Sequence, residues 1–332
     1  MSSQSALRHR AEAARAGRAA LVAALAAALI GGVVLAVVLL RGHSGSSEAA
    51  RGTPSAPSAL TPASVVSPAF GGLALAARGR DVLVGLGVHR GGPLDVVVVP
   101  SDETPVGPSG VRVRLGGRVV SGAAATACGS GCFRFPLHVL TGVPATLVVE
   151  VERSGKGSVR VPLRLPARMP GSAEALLARA RSKMLGLRAL GMDETLGSGL
   201  SKPVVSSWSF QAPDRMSYSI VGGAKAVVIG TRRWDNFGNG WQRSASPRLQ
   251  IPTFTWQNSR AARLLGTTTL GGTHVREIAA WLPARAGLAP TWFVLDLARD
   301  DRVLRSRMFT TAHFMTDTYR DFGAVEPIRP PR

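Results

Sequence analysis

Two cysteines and two tyrosines stand in 332 residues, lysine occurs only at positions 156, 183, 202 and 225, and Asp and Glu number 20 against 40 Lys and Arg. So few cysteines exclude a multi-bridge disulfide scaffold and a cysteine-rich zinc domain. The shortage of acids leaves a formal net charge of +20, but no run or tail concentrates it. The excess is +3 in residues 1–40, +1 in 41–68, +5 in 69–167 and +11 in 168–332. A nucleic-acid reader gathers cations on one face, with aromatic platforms for single strands, so nucleic acid is not an expected partner. Long apolar runs are also scarce: one alone can cross a bilayer, which excludes a multi-span protein. A hydrophobic content of 45% excludes a wholly disordered chain.

That one run, 19–40, holds no charge and includes Leu21, Leu25, Leu29, Ile30, Val34 and Leu39. At 1.5 Å per residue it just spans the roughly 30 Å hydrocarbon core, and it is longer than the apolar region of a cleaved signal peptide. Arg8, Arg10, Arg15 and Arg18 precede it, and Arg41 alone follows closely. The positive-inside rule then predicts a signal anchor, with a cytoplasmic tail over 1–18 and everything after residue 41 outside the cell membrane. Residues 41–68, rich in Ser, Ala, Pro and Gly, read as a disordered linker.

From 69 to 167 the pattern is one of short β-like runs broken by Gly, Pro, Asp and Ser. VRVRL (111–115) and VRVPLRL (159–165) alternate strictly, apolar residues toward one face and Arg toward the other. Six to eight such strands with no helical period predict an immunoglobulin-like β-sandwich. Its rhythm and the phrase VLVGLGV (82–88) resemble the CopC and YtkA-like families, and that resemblance implies a link to copper handling. Cys128-Gly-Ser-Gly-Cys132 is the chemical feature of this part. In an oxidising compartment a local disulfide is the first expectation; the alternative is a Cu(I) site of Cys128, Cys132 and His138, since soft thiolates favour Cu(I).

The grammar changes in 168–332. Leu176, Leu177, Ala180, Met184, Leu187 and Leu190 recur at three- and four-residue steps, which predicts an amphipathic helix over 172–190 with Ser172 as N-cap. Nine β-like runs follow from 204 to 322, with a short helix expected near 259–265. One helix leading into a long antiparallel meander, with Ala180, Met184, Leu187, Arg188 and Leu190, then Phe210-Gln-Ala-Pro-Asp-Arg-Met216, Arg233-Trp234-Asp235 and Tyr319-Arg-Asp-Phe322 in this order, resembles the LolA/LppX-like lipoprotein carriers. The resemblance implies a curved antiparallel half-barrel closing with packed helices over an apolar cavity that holds lipid. The chain departs from those carriers in having no lipid-acceptor Cys after its apolar run. On this reading the fold class is mainly β, with one transmembrane helix, a sandwich and an α+β half-barrel. The candidates to line the cavity, or else to pack as core, are Trp208, Phe210, Tyr218, Ile220, Ile229, Trp281, Trp292, Phe293 and Leu295.

Catalytic frames are lacking. His89, His138, His274 and His313 sit in no GxSxG- or HExxH-like pattern, and Asp300-Asp301 lies in a turn where Asp is favoured for backbone hydrogen bonding. Asp317 and Asp321 could be imagined as a second pair of carboxylates. The expectation is a non-enzymatic, membrane-anchored binding protein with no cofactor; the alternatives are an accessory protein of copper homeostasis and an adaptor for a membrane partner.

Overall fold

The structure, a computed structural model, describes residues 72–332 apart from 103, 105, 121–125, 130, 199–200, 284–289 and 311–313. The expected tail, membrane span and linker (1–68) therefore lie outside the described residues; among those described, no helix is long and apolar enough to cross a membrane. By compactness the chain divides into Met1–Ser58 with Asn236–Trp241, and Ala59–Asp235 with Gln242–Arg332. The described part of the first is a turn in which Gly238 and Gly240 take positive φ and Asn236 Oδ1 accepts a hydrogen bond from Gly238 N (2.8 Å). The sandwich and, but for Asn236 and Trp241, the long sheet below belong to the second.

Alternation of apolar and polar residues makes the first half a two-layer structure, because side chains of a strand point to opposite faces in turn. β9 (Gly157–Leu165) buries Val159, Val161, Leu163 and Leu165 and exposes the residues between them. β1 (Leu73–Arg78), β2 (Val82–Val88), β3 (Leu94–Pro100), β6 (Thr126–Gly129) and β7 (Cys132–Phe135) form one sheet in the order β1-β2-β3-β7-β6. β4 (Val111–Leu115), β5 (Arg118–Val119), β8 (Ala145–Arg153) and β9 form the other, in the order β5-β4-β8-β9. Every pairing is antiparallel. Leu75, Val84, Leu86, Val96 and Phe135 of one sheet share a buried cluster with Val113, Val149 and Val161 of the other.

The second half is one antiparallel sheet of eleven strands. α1 (Glu174–Leu185) leads into β10 (Ala189–Gly197), β11 (Val204–Gln211), β12 (Arg215–Ile220), β13 (Lys225–Ile229), β14 (Arg232–Asn236) and β15 (Trp241–Ala245). β16 (Arg260–Leu270), β17 (Thr273–Leu282), β18 (Thr291–Leu297), β19 (Val303–Phe309) and β20 (Phe314–Arg320) then return, and β20 pairs with β10. Two meanders thus meet at one seam, and the sheet's two edges, β15 and β16, are consecutive in the chain.

Two expectations fail here for one reason, the pairing energy available to a strand in a large sheet. The helix stops at Leu185, with Gly186 at its C-cap, so Ala189 and Leu190 lie in a strand bonded on both sides. The short helix expected at 259–265 is instead the start of β16, although Ala, Arg and Leu favour helix there: tertiary pairing with β17 overrides propensity. That strand is irregular, with register shifts on both sides of Leu264 and Ala261 at φ 54°. The turn at Asp300-Asp301 falls where the sequence puts it, with Asp301 at positive φ, and Gly222-Gly223 and Gly271-Gly272 make further turns, with Gly222, Gly271 and Gly272 at positive φ.

Candidate functional site

Register decides which side chains of the long sheet share a face, since paired residues of neighbouring strands point the same way. Leu190↔Phe210↔Met216↔Val228 form one cross-strand row, and Met192↔Trp208↔Tyr218↔Ala226 the next. Met192 also pairs with Tyr319. We call the face bearing these rows the inner face, because Trp256 and Phe254, from the segment joining the two sheet edges, pack on Tyr319. Trp256 Nε1 donates to the Tyr319 hydroxyl (3.2 Å), and the Phe254 ring meets the Tyr319 ring edge-on at 5.6 Å. Trp256 is fully buried.

Of the nine residues predicted to line a cavity, six lie on this inner face: Trp208, Phe210, Tyr218, Ile220, Phe293 and Leu295. Ile229, paired with Arg215, lies on the outer face, as do Trp281 and Trp292, paired with each other. Trp281 and Trp292 instead cluster with Ala74, Leu83, Val97 and Cys132 of the sandwich and with Phe314. A Cβ on Gly85 would come within 2.4 Å of the Trp292 ring, so glycine lets β2 and the indole touch. This junction accounts for the continuous burial of β2: its residues face the sandwich core on one side and the long sheet on the other.

Cys128 and Cys132 are joined as a disulfide that ties β6 to β7, and Cys132 is buried in the same junction. The bonded sulfurs offer no thiolate to a soft metal, and His138 is exposed. Among the described residues no cluster of three or more His, Cys, Asp or Glu side chains is placed to hold a metal ion.

The inner face carries a feature the sequence reading missed. Ser206, Glu194, Asp317 and Ser306 are successive register partners on β11, β10, β20 and β19, a polar row crossing an apolar face at the seam. Trp208 Nε1 donates to Ser206 Oγ (2.8 Å), which donates to Glu194 Oε1 (3.2 Å). Ser306 Oγ (3.0 Å) and the Tyr319 hydroxyl (3.3 Å) donate to Asp317 Oδ2, while the buried Asp317 Oδ1 has no partner. Neither acid pairs with a cation among the described residues. Burial, and then the neighbouring Glu194 charge, push Asp317 up to about 7; burial raises Glu194 as well, against the Ser206 hydrogen bond. Parity was the available signal: Asp317 alternates with Met315 and Tyr319, so an acid occupies an inward position of β20. Asp321, its imagined partner, bonds Arg320 instead.

The inner face is closed in one half and open in the other. Leu190, Phe210, Met216 and Val228 are buried, whereas Leu196, Trp208 and Ile220 are half-buried and Val204 is exposed. A pocket of about 150 Å³ lies elsewhere, between Arg78 of the sandwich and Thr195, Arg307, Phe309, Phe314 and Thr316 of the outer face. A larger open hollow of about 440 Å³ at Thr231, Arg232, Arg243, Ser244 and Ala245 is polar.

No family model matches the chain, and no curated protein matches it. Among solved structures it is similar to LprF from Mycobacterium bovis, at 11% identity and a TM-score of 0.36 over 49% of this chain and 99% of that one. The lipoprotein LppX of Mycobacterium tuberculosis gives 12% and 0.36 over 48% and 100%. A LolA superfamily protein from Nitrosomonas europaea gives 10% and 0.25 over 47% and 95%. The chain thus resembles the LolA and LppX type over about half its length, as the order of its motifs implies; at these identities and scores the likeness assigns neither ligand nor activity.

Proposed function

We propose that the chain is a non-catalytic, extracytoplasmic binding protein, tethered through 19–40 with its N-terminus in the cytoplasm, that takes a lipid or other apolar ligand against the open half of the inner face. The observation that supports this is the grouping of Leu196, Val204, Trp208 and Ile220, apolar and incompletely covered, on one face beside Glu194. Apolar walls with a few convergent polar groups are what amphiphile sites share. The sandwich supports this reading as a packing module. Without β1 its strand order, β2-β3-β7-β6 facing β5-β4-β8-β9, supports reading it as an immunoglobulin-type sandwich. A copper role attaches only to a reduced Cys128 and Cys132.

The test is thermal unfolding of the full chain with phospholipids and fatty acids. A ligand that binds only the native state raises the midpoint, by a free energy of about 2.7 kcal/mol at a hundred times its Kd. Trp208→Ala removes most of that shift. If no acyl chain or phospholipid moves the midpoint, the lipid reading is lost. A second reading, an adaptor that docks on a membrane partner, is favoured by Trp256 and Phe254, which fill the deep half of the face with the chain's own side chains.

A further inference from the structure

The two ends of the long sheet differ in charge and polarity. The β10–β11, β12–β13, β17–β18 and β19–β20 connections turn at one end, as the pairings Ser206↔Ile220, Gly197↔Phe314, Phe309↔Phe314 and Leu282↔Thr291 require. Among the described residues of these connections, 198, 201–203, 221–224, 283, 290 and 310, there is no Asp or Glu, and Lys202 is the cation. The opposite end holds Asp214, Asp300, Asp301 and Asp321. At the acid-free end Val204, Val205 and Val221 are 38%, 45% and 77% exposed, and Val221 N donates to Val205 O (2.9 Å), which holds the two hairpins side by side. Lys202 and Lys225, two of the chain's four lysines, flank them, exposed and without an ion pair among the described residues. Arg78 adds a further cation, its guanidinium 4.7 Å from the centre of the Phe314 ring.

We propose that this end of the sheet, at Lys202, Val204, Val205, Val221 and Lys225, is a docking surface for an anionic lipid bilayer. Exposed aliphatic side chains enter the acyl boundary while cations beside them stay at the headgroups, each basic residue strengthening partition roughly fivefold. A protein partner would not need the acid-free rim; an anionic membrane does. Docking so placed turns the open half of the inner face, whose last row is Leu196 and Val204, toward the lipid.

The experiment uses the full chain in vesicles, with an environment-sensitive fluorophore on Val221→Cys, the native cysteines being bonded to each other. Because the tether alone would hold the chain on vesicles, the reading is the probe's burial, by blue shift and quenching from labelled acyl chains. Burial in phosphatidylglycerol vesicles, weakened in phosphatidylcholine, by high salt and about 25-fold by Lys202→Gln with Lys225→Gln, is expected. A probe on Asp300→Cys at the opposite end stays in water. Equal burial in both lipids, burial at Asp300→Cys, or a probe in water throughout overturns the proposal. Val205→Cys replaces Val221→Cys if the latter does not fold. The probe reports docking whether or not a lipid enters the inner face, so failure here leaves the ligand reading to its own melting test.

Discussion

The sandwich and the inner face of the long sheet treat their buried charges in opposite ways. Among the described residues of the sandwich, every buried acid meets a cation. Asp95 accepts from Arg134 (2.7 and 3.0 Å) and pairs with His89; the buried Arg153 bridges Asp81 and Asp102, and Lys156 joins Asp102 from outside. Hydrogen bonds from Arg153 and then Lys156 hold Asp102 well below the usual carboxylate range. The inner face of the sheet instead keeps Glu194 and Asp317 side by side with hydroxyl partners only. Burying a charge without a counter-charge costs free energy, so the sandwich is built for stability while the sheet carries an unrelieved electrostatic cost at its seam. That contrast is why the sheet, and not the sandwich, is the candidate site.

The comparison breaks first at its largest single contacts. Arg153→Ala strands Asp81 in the sandwich and lowers unfolding free energy by about 3–5 kcal/mol, measured by denaturant titration. Trp256→Ala lowers it by a similar 3–5 kcal/mol through lost packing. The two differ in a second readout: Trp256→Ala clears space on the inner face and increases uptake of a fluorescent fatty acid, and Arg153→Ala does not. Equal uptake by both variants would show that the filling segment does not guard the inner face.

The acid pair gives a pH dependence of definite sign. Asp317 titrates near 7 in the folded chain, against roughly 3.9 unfolded. The unfolded chain therefore binds fewer protons between these values, and stability falls as pH rises through that window, by at most about 1.4 kcal/mol per pH unit. Below about pH 4 both states are protonated and the contribution is flat. Asp317→Asn, which imitates the protonated carboxyl, flattens the slope and is more stable than the parent at pH 8. An unchanged slope in the variant would mean that Glu194 alone titrates there. Smaller effects belong to the junction of the two regions. Gly85→Ala costs roughly 1–3 kcal/mol by overpacking against Trp292. Cys128→Ser with Cys132→Ser costs about 2 kcal/mol, the modest value of a short loop, as a lowered melting midpoint would record.

Much of the architecture was legible before any coordinate. The alternation in VRVPLRL became the inward row of β9, and Asp300-Asp301 became a turn, because period and turn chemistry are local. The site was legible only in part. The register puts Trp208, Phe210, Tyr218, Ile220, Phe293 and Leu295 on one face, and Trp281, Trp292 and Ile229 were not separable from them by hydrophobicity. Nor could any local pattern tell that a sandwich would cover the outer face, or that Trp256 would fold back on Tyr319.

The sequence by itself determined the β character, the break between two grammars near residue 168, the disulfide-forming pair and the want of catalytic frames, since each rests on composition or short-range spacing. Tertiary structure alone decided which face each aromatic occupies, that β20 returns to β10, and that Glu194 consequently stands beside Asp317. Strand pairing between distant segments sets those neighbours, and a shift of one residue in register would have sent every one of these side chains to the other side of the sheet.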